Sequence, residues 1–173
     1  MQRAAFAALG LDGYSYQHLP VPPALLTGTV RALPGAGFIG ANVTIPHKEA
    51  ALALSASATP RAQAIGAANT LSFDAETGAI HADNTDAPGL IAALPFAARG
   101  RSALVLGAGG SARAVVWALR DAGACEVLVW NRNPGRARAL AADLGATVTT
   151  CTPDEFPELL GAVLEGRPAR MEP

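Results

Sequence analysis

The stretch NVTIPHKEA at residues 42–50 holds Lys48, the single lysine of a chain whose other twelve Lys/Arg positions are all arginine. Arginine stays protonated in proteins, whereas a lysine amine can release and recover a proton. A lysine retained where arginine serves everywhere else is a candidate for proton handling; chance escape from a compositional bias is the alternative. Pro46 can occupy a first helical turn, because its missing N–H would have no partner there, so PHKEAALALS reads as a helix with Lys48 near its start. The helix dipole disfavours a cation at that place by about 0.3–1 kcal/mol. A carboxylate such as Asp86 would oppose that penalty, and an amine balanced in this way can change protonation state.

Three polar groups fall at the ends of expected strands: Asn42 and Thr44 with Lys48, Asn69 and Thr70 in GAANT, and Asn84, Thr85 and Asp86 in HADNTD. Taken singly, each reads as a turn former. Brought together, they would line a cleft with donors and acceptors suited to hydroxyl groups, with one lysine and one aspartate among them.

A second chemical motif is LVLGAGGSARAV, where Gly107, Gly109 and Ala112 make G-x-G-x-x-A between an apolar strand and a helix. Gly107 permits the tight turn, Gly109 lets backbone N–H groups approach a pyrophosphate, and Ala112 lets the helix pack on the strand. A glycine-rich turn without a ligand is the alternative, and the strand-loop-helix context favours a dinucleotide site. An acidic residue about 20 positions further on would hold a free ribose 2′-hydroxyl. The chain instead reads VWNRNPGRAR, and Asn131, Arg132 and Arg136 offer donors and planar cations suited to a 2′-phosphate. This points to NADP rather than NAD, against the alternative of a solvated arginine loop.

The elements that must position these residues follow from periodicity. AAFAALGLDG reads as a helix end closed by Gly10, YSYQHLPV alternates as a strand, ALLTGTVRALPG is a short helix and GFIGANVTI a second strand. After the lysine helix, PRAQAIGA is helical, NTLSF and AIHADN are strands around DAETG, and TDAPGLIAALPFA is a helix. RGRS near Arg99 is the expected linker. Beyond it ALVLG, SARAVVWALRDAG, CEVLVWN, GRARALAADLG, ATVTTC and PDEFPELLGAVL alternate strand with helix, which implies a parallel sheet with helical crossovers. The tail EGRPARMEP is low in apolar residues and reads as unstructured.

The bulk properties exclude several classes. At 173 residues with 50% hydrophobic and 16% charged content, the chain is globular. Four basic and six acidic residues precede Arg99, and nine basic and eight acidic follow from it, so neither half offers the basic excess that nucleic acid or an anionic membrane demands. No apolar run approaches the ~20 residues of a membrane span, and MQRAAFAALG lacks the order of a signal peptide. A cytoplasmic protein is expected. Cys125 and Cys151 have neither CxxC nor metal spacing, read as small core residues, and imply no metal.

Taken together, AAFAALGLDGYSY, GFIGANVTIPHKEAA, AIGAANTL, HADNTDAPGL, LVLGAGGSARAVVWAL and VWNRNPGRARALA resemble, in order from about residue 4 to residue 145, the shikimate dehydrogenase family. NVTIPHK together with NTD is the most specific part of the match. The resemblance implies an α/β fold of two parts: a shikimate-binding catalytic domain at residues 1–98 and half of a Rossmann-like NADP-binding domain at residues 99–173. It implies an NADP-dependent oxidoreductase of aromatic amino-acid and chorismate biosynthesis, oxidising a ring hydroxyl of shikimate to give 3-dehydroshikimate. Lys48 and Asp86 are then the catalytic pair, Thr44 and Asn69 contact substrate beside them, and Asn84 supports Asp86. Gly107, Ala108, Gly109, Gly110 and Ser111 would hold the cofactor, with Asn131, Arg132, Asn133 and Arg136 at its 2′-phosphate.

The departures define further expectations. Family members begin with a strand and a carboxylate-holding HSxSP loop, and end with more of the nucleotide-binding sheet and a glutamine-bearing helix; nothing in this chain matches those elements. The chain therefore reads as a fragment, of low stability or activity alone, whose partners are small molecules and which forms a monomer or homodimer. A quinate/shikimate relative, methylenetetrahydrofolate dehydrogenase, or a non-catalytic nucleotide-binding remnant are the alternatives.

Overall fold

The computed structural model describes residues 2–145 and 148–165, so most of the tail EGRPARMEP lies outside the described residues. Eight α-helices and seven strands are described, in an α/β arrangement with two sheets. The first part holds α1 (Gln2–Ala8), α2 (Leu26–Ala32), β1 (Gly40–Asn42), α3 (Lys48–Ala53), β2 (Ser57–Ala58), α4 (Pro60–Ile65), β3 (Thr70–Phe73), β4 (Ile80–Asp83) and α5 (Asp86–Ala93). The second holds β5 (Ser102–Leu106), α6 (Gly110–Asp121), β6 (Glu126–Trp130), α7 (Pro134–Leu144), β7 (Val148–Cys151) and α8 (Phe156–Leu164). Among these residues, no helix is long and apolar enough to cross a membrane.

The N-terminal sheet has the order β1-β3-β4-β2. β3 runs antiparallel to both β1 and β4, and β2 runs parallel to β4. The register sets Asn42 opposite Thr70 and Thr70 opposite Asp83, so the polar ends of three strands lie side by side at one end of the sheet. Below them β3 and β4 alternate as half-buried strands do: Leu71, Phe73, Ile80 and Ala82 join Leu26, Val30 and Leu33 of the α2 segment in one core.

Local chemistry explains several boundaries. The Thr59 hydroxyl accepts the Ala62 N–H and Pro60 occupies the first helical position, which starts α4. Gly66, at φ +74°, closes it in the left-handed conformation. α5 ends before extended Leu94, because Pro95 disfavours helical geometry in the residue before it.

The C-terminal sheet is all parallel, in the order β5-β6-β7. Val127 and Val129 of β6 face a core shared with Val116 and Leu119 of α6 and Leu140 and Leu144 of α7. Leu128, on the opposite face, packs with Leu159 and Ala162 of α8. A strand apolar on both faces is the expected consequence of helices covering both sides of a parallel sheet. A third cluster joins the two parts: Ala114 and Ala118 of α6 pack against Ile65 of α4, Ala67, and Ala87 of α5. Small side chains at this spacing let the helices approach closely.

Four expectations are corrected. YSYQHLPV forms no strand: the described ladder of β1 runs to β3, and a groove of about 600 Å³ separates β1 from residues 14–17. Alternation makes a strand only where a ladder partner is present. Pro46 lies before α3 rather than in it. His47 N–H donates to Thr44 O in a turn, through a cis Ile45–Pro46 bond, and Lys48 is the first helical residue. The helix stops at Ala53 instead of running through ALALS. Cys125 is exposed, after the turn into β6, and is not a core residue; the Cys151 side chain lies outside the described residues.

Candidate functional site

The N-terminal part of the site is a chain of hydrogen bonds centred on Lys48 and Asp86. Lys48 is 8% exposed, and its Nζ donates to Asp86 Oδ2 at 2.7 Å and to Ser111 Oγ at 2.8 Å. Asp86 Oδ1 accepts from Asn69 Nδ2 at 2.7 Å, so the two carboxylate oxygens are held from different sides. An ammonium group has three N–H donors, and the two bonds leave one for a ligand oxygen. Asp86 is the first residue of α5, where the helix dipole favours an anion.

Asn84 supports this arrangement from beneath. It is fully buried; its Nδ2 donates to Ala67 O at 2.9 Å, and its Oδ1 accepts from the N–H groups of Asp86 at 3.1 Å and Ala87 at 3.3 Å. These bonds occupy backbone donors that the first turn of α5 cannot satisfy internally. Asn69 Oδ1 similarly accepts from Thr85 N–H at 2.8 Å and from the hydroxyls of Thr70 and Thr85. In this arrangement Asn69 spends its amide on Asp86 and Thr85, so it orients the carboxylate. Thr44 is exposed in the loop between β1 and α3.

Asp83, one residue before Asn84, anchors the same strand end. Burial alone would raise its carboxyl, but hydrogen bonds from Thr59, Arg61 and the Asn84 N–H, with the Arg61 charge, outweigh burial and hold it below the ordinary aspartate range. Arg61 grips both oxygens, at 2.8 and 2.7 Å. A carboxylate whose value is depressed on folding contributes stability above its unfolded value and loses it as pH falls through the folded value. The urea midpoint is therefore expected to fall below about pH 4, and Asp83→Asn should flatten that part of the profile. An unchanged acid limb in the variant would show that other carboxylates carry it.

The second part of the site is the loop from Gly107 to Gly110. Gly107 has φ +117°, which explains the need for glycine there, and its N–H is tied to Trp130 O at 2.7 Å. The start of the twelve-residue α6 carries no side-chain cap, and a Cβ at Gly109 would meet nothing within 4 Å. The first-turn N–H groups therefore have no side-chain cap and Gly109 places no side chain beside them, as an anion site requires. Gly110 has a different reason: it is buried, and a Cβ there would lie 2.7 Å from Lys48 Cβ. Ala108 of the loop is half-buried, and Ser111, in the first turn of α6, is exposed.

Arg132 and Arg136 are exposed between the end of β6 and the first turn of α7, beyond the C-terminal ends of the parallel strands, where ligands of open α/β sheets bind. The two asparagines have structural duties. Asn133 Oδ1 accepts the Arg136 N–H and caps α7, and Asn131 Nδ2 donates to Asn133 O at 3.0 Å. They shape the turn that carries the arginines.

Sequence reasoning missed Arg113. Its Nε donates to Ile65 O at 2.6 Å and its Nη1 pairs with Asp143 at 2.7 Å, joining α6 to the end of α4 and to α7. Gly66 lies against the guanidinium, so a Cβ there would meet Nη2 at 2.6 Å. Arginine on an amphipathic helix carries no signal of such a contact. Nor did the sequence indicate that Ser111 reaches Lys48 across 63 positions.

A parallel, helix-covered sheet with a glycine loop at its strand ends, apposed to a lysine–aspartate pair, is a Rossmann-like α/β arrangement. The family model described as "Shikimate dehydrogenase substrate binding domain" matches residues 1–71, and that described as "Shikimate / quinate 5-dehydrogenase" matches residues 92–163. The chain is 49% identical to the shikimate dehydrogenase (NADP(+)) of Methylobacterium radiotolerans over 161 residues, covering 89% of this chain and 56% of the relative. It is 50% identical to the corresponding protein of Paracoccus denitrificans over 144 residues, covering 80% of this chain and 50% of that one. The crystal structure of shikimate 5-dehydrogenase from Thermus thermophilus in complex with NADP(H) and shikimate superposes with a TM-score of 0.76 at 42% identity, covering 91% of this chain and 58% of the other. The chain belongs to the shikimate dehydrogenase family. It spans about half the length of the relatives it matches.

Proposed function

We propose that this chain carries the lysine–aspartate site and the pyrophosphate loop of an NADP-dependent shikimate dehydrogenase, with the substrate part at residues 1–98 and the nucleotide part at residues 99–173. The single observation that carries this reading is Lys48 Nζ held between Asp86, at 2.7 Å, and Ser111 of the glycine loop, at 2.8 Å. A proton-handling amine then stands where substrate and nucleotide would meet. When bound, the nicotinamide supplies the hydride acceptor. As the neutral amine, Lys48 would take the proton of the ring hydroxyl while the carbinol carbon is oxidised, and in the reverse direction, as the ammonium, it would donate that proton to the carbonyl oxygen. Asp86, oriented by Asn69 and Asn84, holds the amine and accepts from a neighbouring hydroxyl. Thr44, exposed in the loop before Lys48, is the further substrate donor.

The residues fit the nucleotide: an uncapped helix start, a loop without side chains in the way, and two exposed arginines beyond β6. Arg132 and Arg136 are the groups for the 2′-phosphate, on a turn built by Asn131 and Asn133. Neutralising both arginines is expected to weaken NADP+ by roughly ten-fold or more while changing NAD+ little, since a charge-assisted bond contributes about 1.5–3 kcal/mol. Isothermal titration with both nucleotides checks this; equal losses would remove the arginines from the phosphate site.

The experiment for the function is shikimate-dependent reduction of NADP+, followed by absorbance. It compares the purified chain with an extended protein in which the flanking segments of the Methylobacterium relative are joined to both ends. Activity confined to the extended protein is the expected outcome, and inactivity of both would overturn the reading. A second reading, quinate as substrate, is favoured by the family description that spans both acids; the same assay with quinate separates them.

A further inference from the structure

The geometry points to Ser111 as a positioning residue for Lys48: its hydroxyl fixes the amine to the glycine loop, so that occupation of the loop by a nucleotide is felt at the lysine. This inference deepens the proposed function and rests on it only for the nucleotide arm of the test below.

Three observations converge. Lys48 Nζ donates to Ser111 Oγ at 2.8 Å, which among the described residues is its one hydrogen bond to the elements around the second sheet, beside its 2.7 Å bond to Asp86. The lysine stem also passes directly over Gly110, where a Cβ would lie 2.7 Å from Lys48 Cβ and 3.4 Å from Lys48 Cδ. The close approach is therefore built into the backbone, since any larger residue at 110 would push the loop and the stem apart. Finally, the small-residue cluster of Ala67, Ala87, Ala114 and Ala118 holds α6 against the N-terminal part just behind this contact, and Arg113 ties α6 to Ile65 O at 2.6 Å.

Ser111 thus belongs to two environments at once. Its backbone N–H lies in the uncapped first turn of α6, facing the place of an anion, and its side chain faces Lys48. Through these bonds the Lys48 ammonium lies beside the first turns of α5 and α6, with Asp86 as the opposing charge. A diphosphate at the start of α6 would bring negative charge close to that ammonium and draw on the residue that holds it. The hydroxyl accepts from the amine and keeps its own O–H free to donate, which a methyl group cannot reproduce.

The single lysine makes the test direct, because protein labelled with 13C,15N-lysine has one side-chain ammonium signal. In the nucleotide-free chain, Ser111→Ala is expected to speed solvent exchange of the Lys48 Nζ protons by roughly five-fold, the factor corresponding to one net hydrogen bond. Ser111→Thr, which restores a hydroxyl, should return the rate towards the parent value. Alanine is tolerated in a first helical turn, so an unchanged urea midpoint in Ser111→Ala identifies the exchange effect as local. Added NADP+ should move the Lys48 signal in the parent chain and move it less in Ser111→Ala. Parent-like exchange in Ser111→Ala, or acceleration that Ser111→Thr does not reverse, would overturn the positioning role. Equal NADP+ shifts in both proteins would overturn the coupling. If NADP+ moves no backbone amide of residues 107–112 in the uniformly 15N-labelled chain, the nucleotide reading fails instead, and the nucleotide-free comparison still decides the role of Ser111.

Discussion

In the extended protein, Lys48→Ala is expected to lower shikimate-dependent reduction of NADP+ by roughly 10²–10⁴-fold, the range that a positioned general acid–base group contributes. The loss should fall on kcat, because the amine acts on the reacting oxygen and supplies little of the binding surface. Lys48→Arg is expected to fare no better. A guanidinium does not release its proton, and the stem has no room to adjust where a Cβ at Gly110 would already lie 2.7 Å from Lys48 Cβ. Stability should change modestly in Lys48→Ala, since Asp86 is partly exposed and keeps its bond from Asn69. Steady-state kinetics on both variants, with the unfolding midpoint as a control for folding, checks the pair. Retention of activity within ten-fold in either variant would remove proton handling from Lys48.

Asn84→Ala is expected to destabilise the chain by about 2–4 kcal/mol, the largest stability effect expected of a polar substitution in the site. A buried polar group left without its partner costs about 1–3 kcal/mol. This substitution strands the Ala67 carbonyl and the N–H groups of Asp86 and Ala87 together, and leaves a small void. The three losses share one site and do not add fully, which sets the upper bound. Urea unfolding at neutral pH measures it, as a fall in midpoint at constant slope. A loss under about 1 kcal/mol would mean that water or a shifted α5 start replaces the amide. Because Asn84 fixes the first residue of α5, the extended protein should also lose turnover without direct contact between Asn84 and substrate.

Much of the α/β pattern was legible because burial imposes a period. β6 is apolar on both faces and lies between helices; β3 and β4 alternate and are half-buried; the glycine loop joins β5 to α6 where the spacing put it. Reading failed where a partner, not a period, decides the outcome. YSYQHLPV alternates as a strand should, but no ladder runs to it. The two-residue β2 has too few positions for any pattern, and exists because it lies parallel beside β4. Cys125 has the composition of a core residue, and the turn before β6 leaves it at the surface.

The site divides in the same way. By itself the sequence determined which groups are chemically able to act: one amine in a chain of guanidinium groups, a carboxylate at a helix start, glycines between strand and helix, and arginines where an acidic residue would otherwise stand. Those are properties of residue type and short-range spacing. Only the tertiary structure decided their partners. The register that sets Asn42, Thr70 and Asp83 in one row brings the three polar groups to one sheet end, and the alanine-lined packing of α6 carries Ser111 to Lys48. Asn69, read as a substrate contact, spends its amide on Asp86, and Gly110, read as part of a phosphate loop, makes room for the lysine stem. Contacts between residues 38 and 63 positions apart depend on strand pairing and helix packing, which no local pattern encodes.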